Sequence, residues 1–157
     1  MLSYKEKDYI KQLEEMRFLE NGMEEIEKFE EICYKLQDSD NVELVSELCK
    51  IPEDKCFTPS STRILIQTII KIIEKNDIKI GLCELVKGTS NMLDKGIGWA
   101  KKLHGHFISG EYLNIYIEVV RDADVKDREN VIKVLYEIGK LKWNTIDIEK
   151  IVNLILE

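Results

Sequence analysis

An all-α fold is predicted from three observations. The most apolar stretch, Arg63 to Ile73, belongs to a segment whose polar positions Arg63, Gln67, Lys71 and Lys75 fall every four residues. That period draws one narrow wet stripe along a helix. Cap and stop residues (Ser3 with Glu6, Asn21-Gly22, Pro52, Asp77, Gly88, Asp124) divide the chain into pieces of helical length. No segment alternates apolar and polar residues for long enough to make a strand.

The central segment sets the rest. Ile64, Leu65, Ile66, Ile69, Ile70, Ile72 and Ile73 fill the faces left by the polar stripe, so this helix is expected to be covered by neighbours on several sides. Isoleucine also suits strands. The period of four and Ser60 as N-cap after Pro59 decide for a helix over Ser61 to Lys75. Gln67, Thr68 and Lys71 keep its apolar run too short to span a bilayer.

The other elements follow in chain order. Ser3 and Glu6 form a capping box that opens a first helix with Tyr9, Leu13 and Met16 on its apolar face, ending at Asn21-Gly22. A second helix, Met23 to Gln37, buries Ile26, Phe29, Cys33 and Leu36. Asp40 and Glu43 cap a third, which turns Leu44, Val45, Leu48 and Cys49 inward until Pro52 stops it. Glu53 to Pro59 is a loop leading into the central helix. Asp77 then opens a helix with Ile78, Leu82, Leu85 and Val86, closed by Gly88. Five of the eight glycines lie between Gly88 and Gly110, making this the least regular region, with one helix carrying Trp99, Ala100, Leu103 and Phe107. Leu113, Tyr116, Ile117 and Val120 mark the next helix. Asp124 caps another with Val131, Val134, Leu135 and Ile138, and a turn at Trp143 precedes the last, with Ile148, Ile151, Val152 and Ile155. Helices of this length joined by short turns suggest stacked antiparallel pairs. An irregular HEAT-like α-solenoid is the first choice and a globular helical bundle the second.

At 157 residues the chain fits a single helical domain, 1–157, long enough to bury roughly two-thirds of its unfolded surface. The N-terminal residues contain no apolar core of a secretory signal, which places the expected protein in the cytoplasm. Cys33, Cys49, Cys56 and Cys83 show no C-x-x-C spacing and are read as reduced thiols rather than disulfide partners or zinc ligands. The net charge of −7 is unevenly placed: residues 1–57 hold 16 acidic against 8 basic side chains, and residues 58–157 hold 14 against 15. An acidic N-terminal third repels nucleic acid and anionic membranes and attracts basic surfaces.

Catalytic and cofactor signals are sparse. His104 and His106 stand two apart and point to different sides of a helix, so they cannot grip one ion together. The plain reading makes one buried and hydrogen-bonded and the other exposed. No phosphate-binding glycine loop, H-E-x-x-H or G-x-S-x-G occurs, and Gly96-Ile97-Gly98 reads as a helix start or break. A nucleophilic Cys83 with His104 is the one enzymatic arrangement available, and Cys83 sits in an apolar helical context. No catalytic residue, cofactor or metal is therefore assigned.

The acidic segment is the more informative feature. Glu24, Glu27 and Glu31 stand at i, i+3 and i+7, with Glu14, Glu20, Glu25 and Glu30 adding charge nearby. Such like charges repel by a few tenths of a kcal/mol per pair. The bland reading is a solvated face, and the sharper one a docking surface for a basic partner.

Three stretches carry a family resemblance. They are Leu19 to Glu30, an acidic helix start; Val45 to Cys49, the end of the third helix; and Trp99 to His104 followed by Phe107-Ile108-Ser109 and Tyr112 to Tyr116. In these the chain resembles the bacterial immunity protein 30 family of polymorphic toxin systems. The resemblance implies an α-helical protein that binds a cognate toxin and blocks it stoichiometrically, without catalysis. A basic nuclease is one class of toxin that an acidic inhibitor would suit, because an enzyme that holds phosphates must carry positive charge. The alternative reading is a general α-solenoid adaptor for protein partners with no toxin.

Overall fold

The computed structural model describes residues 1–157 and holds nine α-helices and no strand. They are α1 Tyr4–Glu15, α2 Met23–Leu36, α3 Leu44–Leu48, α4 Pro59–Lys75, α5 Ile78–Gly88, α6 Ile97–Ile108, α7 Leu113–Asp122, α8 Val125–Gly139 and α9 Ile148–Leu156, with a 3-10 turn at Thr89–Met92. Local side-chain caps explain four of the nine starts. The Ser3 hydroxyl accepts from the Glu6 amide at 3.1 Å while the Glu6 carboxylate accepts from the Ser3 amide at 2.9 Å, the capping box read from the sequence. Asp77, Asp124 and Asp147 each take first-turn amides of the helix that follows.

The helices stack in two rows. In one, α2 packs on α4, α4 on α6 and α6 on α8; in the other, α3 packs on α5, α5 on α7 and α7 on α9. Cross-contacts between α4 and α5, α6 and α7, and α8 and α9 tie the rows together, and α1 leans on α2 and α3 at one end. Asn76 and Asp77 alone join α4 to α5, so those helices must double back on each other. The all-α fold is as expected, and this packing is compatible with both a stacked solenoid and a helical bundle.

The predicted central helix is in place. Leu65, Ile66, Ile69, Ile72 and Ile73 are buried and Ile64 and Ile70 half-buried, while Arg63, Gln67, Lys71 and Lys75 form an exposed stripe. α4 touches α2, α3, α5 and α6, which is what a helix apolar on most faces requires. It approaches α5 closely at Gly81, where a Cβ would stand 2.9 Å from Ile73 Cγ2 and 3.1 Å from Ile73 Cα. One contiguous core of 38 buried apolar side chains runs through the stack.

Three boundaries differ from the sequence reading, each for a tertiary reason. α1 stops at Glu15 instead of running to Asn21-Gly22. Leu19 turns into the left-handed region (φ 53°) while its side chain is buried, and Gly22 (φ 97°) serves as the entry to α2. The 57–58 loop pins this turn: Phe57 N–H donates to the Phe18 carbonyl and the Thr58 hydroxyl to the Leu19 carbonyl. That commitment leaves Thr58, which replaces the expected Ser60 as N-cap of α4, with no side-chain cap bond, and Pro59 rather than Ser61 begins the helix. Asp40 does not cap α3. The Ser39 hydroxyl and the Asn41 side chain take the amides of Asn41 and Glu43 in a local turn, so α3 is only five residues long.

The remaining surprise is how the loop after α3 ends. Both carboxylate oxygens of Asp54 accept from the Gly98 amide (3.1 and 3.2 Å), and Trp99 Nε1–H donates to the Glu53 carbonyl at 3.1 Å. A residue 44 positions upstream therefore caps α6, a bond of the kind worth about 0.5–2 kcal/mol.

Candidate functional site

A buried polar constellation spans the 3-10 turn, α6 and α7. The Thr89 hydroxyl donates to the Leu85 carbonyl at 2.7 Å, so its oxygen accepts from His104 Nε2–H at 3.0 Å. That leaves His104 Nδ1 to accept from the Tyr116 hydroxyl at 2.6 Å. His104 and Tyr116 are fully buried, and burial pushes the imidazole pKa down to about 3 and the phenol up. A neutral, doubly satisfied imidazole has no nitrogen left for a substrate or a thiol. Cys83 lies half-buried on α5, with its pKa raised by burial, and makes no bond to His104. His106 is exposed, 3.8 Å from Glu74. The plain reading of the two histidines holds, and the Cys83–His104 arrangement does not form.

The other thiols are structural. Cys33 and Cys49 are buried, each with a pKa pushed up to about 12, chiefly by desolvation. All four cysteines are free. No three His, Cys, Asp or Glu side chains converge as a metal cage would require.

The acidic segment forms a surface, although its members divide. Glu27, Glu30, Glu31, Tyr34, Lys35 and Asp38 line a shallow depression along the outer face of α2. Glu20, Glu24, Glu27 and Glu31 are exposed. Glu31 pairs with Lys35 at 2.9 Å, which holds its carboxyl below the ordinary carboxylate range. Glu30 is half-buried and accepts from the Ser61 hydroxyl at 2.6 Å, so it ties α2 to α4. Glu25 accepts from the amide and the side chain of Asn21 and steadies the turn into α2. Glu14 is half-buried in the last turn of α1. Tyr34, more than half exposed, and Asp38 join the face although the acidic spacing did not single them out. Continuing the series Glu27, Glu31 by i+7 and i+11 reaches both.

No helix in the chain is long and apolar enough to cross a membrane. A model of the family described as Immunity protein 30 matches residues 15–117, 103 of the 157, and spans α2 through α6 and the first half of α7. No curated protein and no solved structure gives a match.

Proposed function

The chain belongs to the immunity protein 30 family, a family of non-catalytic toxin-neutralising proteins, and on that premise we propose that it holds its toxin through the outer face of α2. The observation that supports this choice is an exposed carboxylate row on α2, Glu24, Glu27 and Glu31, with Glu20 exposed ahead of the helix and the amphipathic ring of Tyr34 beside the row. Charge of one sign on the inhibitor attracts a basic toxin over a distance and speeds encounter. Tyr34 supplies the apolar anchor that charge alone lacks, since aromatic side chains carry much of the energy of protein interfaces. A toxin with a basic cleft, such as a nuclease, fits this surface best. Its inhibitor would act in the cytoplasm of the producing cell, by occlusion. Glu25 and Glu30, already committed inside the chain, serve the surface by positioning α2.

Replacing Glu24, Glu27 and Glu31 together by Lys reverses the row without touching a buried side chain. Association with the cognate toxin, followed by stopped-flow, is expected to slow by about tenfold or more at low salt and to lose most of its ionic-strength dependence. Protection of toxin-expressing cells falls with it, while the circular dichroism of the variant stays that of the parent. Unchanged association kinetics would remove α2 from the interface and leave an adaptor-like face elsewhere.

A further inference from the structure

A second surface of opposite character lies between α6 and the turn joining α8 to α9. Gly98, Lys101, Lys102 and Gly105 fall at i, i+3, i+4 and i+7 of α6 and form one wall. Leu141, Trp143 and Ile146 belong to the other, and the open groove between them measures about 560 Å³. It is open at its Gly105 end, where a Cβ would meet no atom within 4 Å; at its Gly98 end a Cβ would stand 2.9 Å from Asp54 Oδ1, a carboxylate already committed to the Gly98 amide. None of the ten lining residues is acidic, in a chain of net charge −7. Trp143 is 78% exposed on the rim, the most solvent-exposed tryptophan or phenylalanine in the chain. A large apolar ring left in water beside lysines is a poor solvated surface and a good contact surface.

We propose that this groove binds an acidic peptide segment of a protein partner, with its carboxylates on Lys101 and Lys102 and an apolar side chain against Trp143 and Ile146. Lys102 is exposed and rests 4.8 Å above the Trp99 ring, which holds its ammonium at the groove while leaving it open to a carboxylate. A protein segment suits the site better than nucleic acid. The −7 field around the molecule repels a polyanion at long range, whereas a short segment with two or three carboxylates needs only the local lysines. The α8–α9 half of the groove lies beyond residue 117, outside the stretch matched by the family model. The site is independent of the α2 face.

The test is a fluorescence titration of the full chain with a short synthetic peptide of Asp-Glu-Phe repeats. Trp99 is already buried and Trp143 is exposed, so a blue shift on binding reports Trp143 leaving water. Saturable binding with a blue shift is expected, weakened about tenfold or more by Lys101→Glu with Lys102→Glu. Trp143→Ala weakens it comparably when followed by calorimetry, and Glu27→Lys leaves it unchanged, which separates this site from the α2 face. A peptide of Lys-Phe repeats should not bind. The proposal is overturned by an absence of saturable binding, by equal affinity in the double-lysine variant, or by tighter binding of an oligothymidylate. It is also overturned if the free chain self-associates in a manner that Trp143→Ala abolishes, which would assign the groove to a second copy.

Discussion

Acidification is expected to cost this protein about 1.4 kcal/mol of stability per pH unit below pH 6.5, from one side chain. His104 is held neutral in the fold, with a pKa near 3 against an ordinary value of 6.5. The unfolded chain takes up the proton below pH 6.5 and the folded chain does not until about pH 3, so the contribution is complete above 6.5 and drains away as the pH falls between those values. The cause is burial: the ring lies wholly out of solvent, where its charged form is disfavoured, with its two nitrogens bonded to Thr89 and Tyr116. Urea denaturation at pH 7 and pH 5 measures the slope. His104→Gln, which cannot titrate, should lose that part of the pH dependence and keep the remainder due to carboxylates. A slope unchanged in the variant would show that the imidazole is not the group responsible. Tyr116→Phe leaves Nδ1 unpartnered and is expected to cost about 1–3 kcal/mol at neutral pH.

Truncating the central helix where it meets α5 should have an effect of similar size. Ile73 is fully buried, and its side chain lies against Gly81, which has none of its own to move into the gap. Ile73→Ala is therefore expected to destabilise by about 2–5 kcal/mol, the transfer loss plus the cavity left behind. Gly81→Ala is expected to destabilise for the opposite reason. Its new methyl would meet Ile73 Cγ2 at 2.9 Å, and overpacking of this kind costs about 1–3 kcal/mol. In the double variant the methyl enters space the isoleucine has vacated, so the combined loss should fall short of the sum of the two. Strict additivity in chemical denaturation would mean that the two helices do not depend on each other at this point.

Features governed by nearest neighbours along the chain were readable in advance. The period of four in α4, the capping box at Ser3 and the Asp caps of α5 and α8 depend on residues within one or two turns. Features decided by distant partners were not. Asp54 caps α6 from 44 residues away, and Thr58 abandons its own helix for the Leu19 carbonyl. Leu19 adopts a left-handed conformation that its side chain disfavours because burial and the 57–58 loop hold it there. The acidic face divides in the same way. Spacing placed Glu24, Glu27 and Glu31 on an outward helix surface and, extended, would have reached Tyr34 and Asp38. The withdrawal of Glu30 into a bond with Ser61 depends on α4 lying alongside α2, which no local pattern encodes.

If the α2 face is where the toxin sits, its side chains must lose solvent when the complex forms. Carboxylate labelling and hydroxyl-radical footprinting, read by mass spectrometry on the free chain and on the chain bound to its cognate toxin, report that change residue by residue. Strong protection of Glu24, Glu27, Glu31 and Tyr34 in the complex is the predicted result. Labelling of those four residues equal in the free and bound protein would contradict it.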